Sequence, residues 1–202
     1  SGDRKALALQ EGLEVSVYKI EDAKNIVVQF NKEVNGFTEI ANYEVKDADN
    51  NALTVTGAAS TWDPYRVPNS FRITLAEAPA AAGVYTITAK NMYDGNGKYK
   101  AAVTSFGVLS LETHSVVDNR NVIVHFDRET AGATETAFYE VKNESGVVQG
   151  ISEINSAFVE LGGSIGNVFK ITFNESLADG KYTVTVSNQT AAGVKYAPAS
   201  CE

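Results

Sequence analysis

At 202 residues, 44% hydrophobic and 21% charged, the chain has the make-up of ordinary globular protein. A net charge of −8 leaves no excess of cations to displace phosphate counterions, which argues against nucleic acid. The single cysteine, Cys201, excludes an internal disulfide and any cysteine-built metal site, and no apolar run approaches the roughly 18 residues of a membrane span.

The first residues, Ser1-Gly2, have the look of a tag-cleavage remnant, and Arg4–Gly12 aligns with Lys100–Val108 further on, so 1–12 read as that remnant and the end of a preceding repeat. Strands are then expected near 13–20, 25–31, 42–47, 52–57, 70–76, 84–91 and 99–107. The reason is period-two alternation. Ile26, Val28 and Phe30 share one face while Val27 and Gln29 share the other; Tyr43 and Val45 oppose Glu44 and Lys46; Phe71, Ile73 and Leu75 repeat the pattern, as do Tyr85 and Ile87. Turn chemistry separates the strands, notably Asp47-Ala48-Asp49-Asn50-Asn51 and Asp94-Gly95-Asn96-Gly97. Ala76–Ala82, interrupted by Pro79, and Thr134–Ala137 are the places where a single helical turn fits.

The whole pattern then returns. Asp22–Phe30 (DAKNIVVQF) recurs as Asp118–Phe126 (DNRNVIVHF), and Ile40–Asp47 (IANYEVKD) as Thr136–Asn143 (TAFYEVKN). Phe71–Leu75 (FRITL) recurs as Phe169–Phe173 (FKITF), and Tyr85–Thr88 (YTIT) as Tyr182–Thr185 (YTVT). The second set of strands is expected near 109–117, 121–127, 138–143, 147–154, 168–174, 181–188 and 194–200. A repeat this long is a whole domain rather than a solenoid unit. The chain is therefore all-β, two antiparallel sandwiches in tandem, with boundaries at 13–107 and 108–202. The second copy stops at Glu202, short of residues matching Phe106–Val108, so the pair is expected to be part of a longer array.

The order of phrases resembles the tandem bacterial immunoglobulin-like repeats of surface-layer (S-layer) and other cell-surface proteins of Gram-positive bacilli. The phrases in question are an Asn-initiated strand ending in Phe, a charged pair (Lys32-Glu33; Arg128-Glu129), Ala-x-Tyr-Glu-Val or its variant, an Ile-Thr strand and a Tyr-Thr-x-Thr strand. The resemblance implies two immunoglobulin-like β-sandwich domains and an extracellular place on a bacterial cell surface. It further implies a structural, non-enzymatic role in lattice or spacer assembly. The partners it implies are copies of the chain itself, neighbouring surface proteins, or cell-wall glycan. Calcium often stiffens such arrays. In immunoglobulin-like topology Asp47 and Asp49 fall at the end of the first domain that faces Asp127 and Glu129 of the second, so these four are the candidate ligands of an interdomain calcium ion.

Other chemistry is sparse. Trp62 and Tyr65 form a candidate aromatic platform for a sugar ring, though Trp62 aligns with Phe158 and so also reads as a core position. The histidines, His114 and His125, sit on strands, with His125 aligned to Gln29 on a solvent-facing position. Lys46 and Lys142, the candidates for a Lys–Asn isopeptide crosslink, point outward by alternation, and Cys201 has no organised partner for nucleophilic chemistry.

Overall fold

The computed structural model describes residues 8–61, 65–163 and 165–202. The chain divides into two compact all-β units. The first runs to Pro79 and resumes over Val84–Phe106; the second holds Ala80–Gly83 and Gly107–Glu202.

The first unit is built on β1 (Val15–Ile20), β2 (Asn25–Phe30), β3 (Tyr43–Lys46), β4 (Ala52–Leu53) and β5 (Val55–Ser60). It continues with β6 (Ser70–Leu75), β7 (Gly83–Ala89), the short hairpin β8 (Tyr93–Asp94) and β9 (Gly97–Lys98), and β10 (Ala102–Val108). One sheet has the order β1-β2-β6-β5 and the other includes β10-β7-β3-β4. Val28 lies opposite Phe71 and Val45 opposite Ile87. The inward sets of both sheets are buried: Ile26, Val28, Phe30, Ile73 and Leu75 from one, Tyr43, Val45, Tyr85 and Ile87 from the other. This is the alternation expected of a sandwich whose two inner faces share one core.

The second unit repeats the plan. Its strands are β11 (Leu111–Asp118), β12 (Asn121–Phe126), β13 (Tyr139–Asn143), β14 (Ile151–Ser156) and β15 (Val168–Phe173). They are followed by β16 (Tyr182–Val186), β17 (Thr190–Ala191), β18 (Val194–Tyr196) and β19 (Ala199–Cys201). Sheets β11-β12-β15-β14 and β13-β16-β19 enclose one core that includes Val124, Phe126, Ile171, Val141, Val184 and Val186. Gly107 runs beneath the ring of Tyr196. A Cβ at Gly107 would lie 2.2 Å from that ring, so no side chain fits there.

Three expectations are revised. The strands placed near 52–57 and 147–154 are each interrupted where the chain changes sheets. Ala52 and Leu53 pair with β3, whereas Val55–Ser60 pair with β6. In the same way Val148 bridges to Lys142 before Ile151–Ser156 pair with β15. Alternation alone does not reveal the switch, because the inward face remains apolar on both sides of it. Ala76–Ala82 contains no helical turn, and the 3-10 turn of the second unit is Thr136–Phe138, with an unforeseen twin at Ile40–Asn42. Finally, Val27 does point away from the main core, but it is fully buried, as is Ile123 to within 2%. Ile123 belongs to a small second core with Ala157 and Val168, packed against Leu161 and Ile165 on the outer side of its sheet. At the matching places of the first unit stand Thr61 and Ser70, whose hydroxyls share a 2.7 Å hydrogen bond, with Ser70 donating to the Val67 carbonyl.

The recurring polar residues hold the turns. Asp22 Oδ1 accepts from the amides of Lys24 and Asn25, and Asn25 Nδ2 donates to the same carboxylate. Asn25 Oδ1 then accepts from Thr74 Oγ1 on β6 at 2.9 Å. Asp118, Asn121 and Thr172 form the same chain, with Thr172 donating to Asn121 at 2.8 Å. The phenol of Tyr43 donates to the Phe37 carbonyl at 2.9 Å and that of Tyr139 to the Ala133 carbonyl at 2.5 Å, six residues upstream in both units. Burial pushes both phenols well above their usual range, so they stay protonated donors.

Two predictions follow from these bonds. Tyr43→Phe and Tyr139→Phe should each lower stability in urea unfolding by about 0.5–1.5 kcal/mol, the net worth of a buried hydrogen bond. Tyr43→Ala should cost about 3–5 kcal/mol, as for other large core truncations; a loss no greater than that of the Phe variant would contradict the packing of β3. The second concerns acid. The amide of Arg120 and the side chain of Asn121 hold the Asp118 carboxyl below its ordinary value of 3.8. A carboxylate depressed in the folded state adds stability above about pH 4, which is lost as pH falls through the lower folded value. Asp118→Ala should therefore melt earlier than the parent at neutral pH, by a gap that is smaller near pH 2. Equal gaps at both pH values would remove the charge from the account.

Candidate functional site

The four acidic candidates divide between the units, Asp47 and Asp49 in the first and Asp127 and Glu129 in the second. Asp47 closes the turn after β3. Its Oδ1 accepts from the amides of Asp49 and Asn51, and its Oδ2 from Asn51 Nδ2 at 2.9 Å. The Asn51 side chain, then its amide, draw the Asp47 carboxyl below the usual range. At the equivalent place in the second unit stands Asn143, whose Oδ1 accepts from the amides of Ser145 and Val147. An uncharged amide does the same work as the carboxylate.

Asp127 shows the reverse exchange. Its Oδ1 accepts from the Ser110 amide at 3.0 Å, while Oδ2 takes Nε and Nη2 of Arg128. The first unit has Asn31 here, and Asn31 Oδ1 accepts from the Glu14 amide at the same 3.0 Å. Asp49 and Glu129 are solvent-exposed side chains of these turns. Among the described residues of either unit, no three His, Cys, Asp or Glu side chains come together as a metal site would need.

Of the aromatic pair, Trp62 lies outside the described residues. Tyr65 is half-buried on the outer side of the first sheet. Its hydroxyl donates to Glu21 Oε1 at 2.6 Å, and Arg72 grips both oxygens of the same carboxylate, through Nε at 2.5 Å and Nη2 at 2.7 Å. Arg72 above all, and Tyr65 after it, keep the Glu21 carboxyl below its usual range despite partial burial. The Tyr65 ring lies 6.1 Å from that of Tyr18, with Lys19 Nζ 4.9 Å from its centroid. Sequence reasoning missed Glu21 and Arg72. The available signal was the basic residue shared by FRITL and FKITF, since Lys170 likewise pairs with Glu160. Phe158, the residue aligned with Trp62, is not a core position. Phe158 is 44% exposed, and the buried residue of that loop is its neighbour Ala157.

Asp94 is equally committed. Its carboxylate accepts from Tyr99 Oη at 2.6 Å, Gln10 Nε2 at 2.9 Å and the Asn96 amide at 2.8 Å. The Tyr99 bond is the largest reason its carboxyl is held far below the normal range. Tyr93–Asp94 and Gly97–Lys98 pair as the hairpin expected of Asp-Gly-Asn-Gly. His125 Nδ1 lies 2.8 Å from Glu112 Oε1 across the β11–β12 pair, and His114 is exposed. Lys46 and Lys142 pair with Glu44 and Glu140 two residues earlier, on the same side of their strands. Cys201 is half-buried, and burial raises its thiol above the normal value, away from the reactive thiolate.

No protein-family model matches the chain, and no curated protein matches it in sequence. Among solved structures it is similar to the N-terminal part of the bacterial S-layer protein SbsC, with 16% identity and a TM-score of 0.37, over 94% of this chain and 44% of that one. Domains 1–6 of surface layer protein SbsC match with 15% identity and a TM-score of 0.35, over 95% of this chain and 26% of that one. A Dscam structure matches with 13% identity and a TM-score of 0.20, over 96% of this chain and 43% of that one. The chain thus spans less than half the length of each. Overlaps this loose assign neither family nor role.

Proposed function

We propose that the chain is a structural, non-catalytic pair of immunoglobulin-like modules from a bacterial cell-surface array. It would serve as lattice or spacer outside the cell, with copies of itself or neighbouring surface proteins as partners. One observation carries this reading. The polar residues that recur between the modules are spent on holding backbone turns, and Asp and Asn exchange freely at those places: Asp47 with Asn143, Asn31 with Asp127. A general acid or base does not tolerate that exchange, because an amide neither takes up nor gives up a proton there. A turn tolerates it, because either oxygen accepts the same amide bonds.

The bonds that Asp47 and Asp127 already make favour turn-building over an interdomain calcium ion for these two, which would leave it the carboxylates of Asp49 and Glu129. Glycan binding through Trp62 and Tyr65 has less support, since the Tyr65 hydroxyl and ring are already engaged by Glu21, Tyr18 and Lys19.

The double variant Asp47→Asn/Asp127→Asn should keep the parent's fold, and each protein should melt at the same temperature in millimolar calcium as in excess EDTA. A ligand that binds only the folded state raises its stability by mass action. A calcium-dependent rise in the parent that the double variant loses would restore the ion and displace this account of the turns. Single-molecule pulling tests the mechanical role. Two separate unfolding steps are expected, each releasing about 300 Å of chain. Smooth extension at low force would sink the spacer reading.

A further inference from the structure

The first unit carries a group of side chains that its sister module shows the fold can do without. A groove of about 540 Å³ lies between the loop before β3 and the β8–β9 hairpin, with Asn35, Thr38, Asn42, Asn91, Tyr93 and Lys98 in its lining. All of its lining belongs to the first unit. The Asn35 amide donates to the Tyr93 carbonyl at 2.7 Å, and Tyr93 pairs with Lys98 across the hairpin. Asn42 Nδ2 donates to the Gly36 carbonyl at 2.9 Å, and Asn91 Nδ2 donates to Asn42 Oδ1 at 3.2 Å. These bonds fix both carboxamides and leave each with hydrogen-bonding capacity to spare. Tyr93 is 45% exposed, and Asn35, Thr38 and Asn91 are exposed beside it.

The second unit keeps the backbone and drops these groups. The bridge between Asn35 and Tyr93 recurs between Ala131 and Thr190. Asn91 and Asn188 share the left-handed conformation, with φ of 58° and 54°. Phe138 stands in the place of Asn42, and its ring lies so close over Gly132 that a Cβ there would approach it to 2.7 Å. The bridge and the turn therefore need neither the Asn35 and Asn42 carboxamides nor the Tyr93 ring.

We propose that this groove binds a neutral oligosaccharide. A sugar ring presents an apolar C–H face and a rim of hydroxyls that both donate and accept. The exposed tyrosine ring matches the first, and carboxamides, which also donate and accept, match the second. Glu39 and Lys98 bring one charge of each sign, so the groove has no net preference for an ionic ligand. The site is separate from Trp62 and Tyr65. The inference rests on the difference between the modules and stands whether or not they belong to a surface array.

The test uses the intact 202-residue chain with tetramers of glucose, galactose and N-acetylglucosamine, each titrated to millimolar concentration and followed by amide resonances. At least one should give saturable shifts of the Asn35, Asn42 and Asn91 carboxamides and of the Tyr93 amide. Tyr93→Thr and Asn35→Ala, which install the sister module's residues at exposed positions, should both weaken that binding and leave the melting temperature unchanged. The loss for Tyr93→Thr should be about tenfold. No saturable shift with any of the tetramers, shifts confined to other residues, or full affinity in both variants would overturn the proposal. Equal shifts with glycerol at matching hydroxyl concentration would reveal a general polyol effect and overturn it as well.

Discussion

Each module depends on one strand that is sealed on both faces. In β2, Ile26, Val28 and Phe30 enter the main core while Val27 is fully buried on the other side; in β12, Ile123 takes the place of Val27. A central antiparallel strand normally leaves one face to water. Sealing the second face requires a cover, and the segment between β14 and β15 provides it, with Ala157 and Val168 packed on Ile123 and with Leu161 and Ile165 against them. The two modules fill this outer layer differently, with a Thr61–Ser70 hydroxyl pair in one and aliphatic carbons in the other. Both satisfy the same rule, that a buried polar group must be bonded and a buried apolar one must be packed.

The turn before this strand fixes its register. Asp22 holds the amides that follow it and passes the constraint through Asn25 to Thr74 on β6, so one short chain of bonds sets both the hairpin and its neighbour. Long basic side chains reinforce the same end. Lys24 donates to the Ala76 carbonyl and Arg120 to those of Phe173 and Asn174. A slip of one residue would turn Val28 and Phe30 outward. These bonds therefore protect a core they do not touch. The edge strands are irregular, with register shifts in β1 at Val17/Lys19 and in β11 at Thr113/Ser115, which makes them poor templates for unwanted pairing.

Much of this was legible in the residues. Alternation located the inward faces of β2, β3, β6 and β7, and the duplication supplied an internal check on each. What was hidden lay where neighbours rather than pattern decide. The sheet switch after Leu53 leaves no mark in hydropathy. The burial of Ile123 depends on Ala157, Leu161 and Ile165, more than thirty residues away, and the exposure of Phe158 stands beside the full burial of Ala157. The Glu21–Arg72–Tyr65 group joins the end of β1 to β6 and the segment before it, which lie far along the chain, and spacing alone could not bring them together. The carboxylates were legible as oxygen donors but not as turn formers, since composition does not distinguish an oxygen offered to a cation from one already holding an amide.

The distinction bears on what the acidity of this chain is for. With a net charge of −8, an ion-binding account is tempting for any pair of aspartates in a loop. Yet Asn143 and Asn31 make the bonds of Asp47 and Asp127 without a charge, and the Asp94 carboxylate is occupied by a phenol, an amide side chain and a backbone amide. Negative charge at these turns is therefore surplus to their geometry. It adds to the charge spread over the surface, and like charges of that kind oppose the close approach of like molecules. Exposed ion pairs such as Lys46–Glu44 and Lys142–Glu140 add little stability of their own, so the turns rest on their amide bonds rather than on charge.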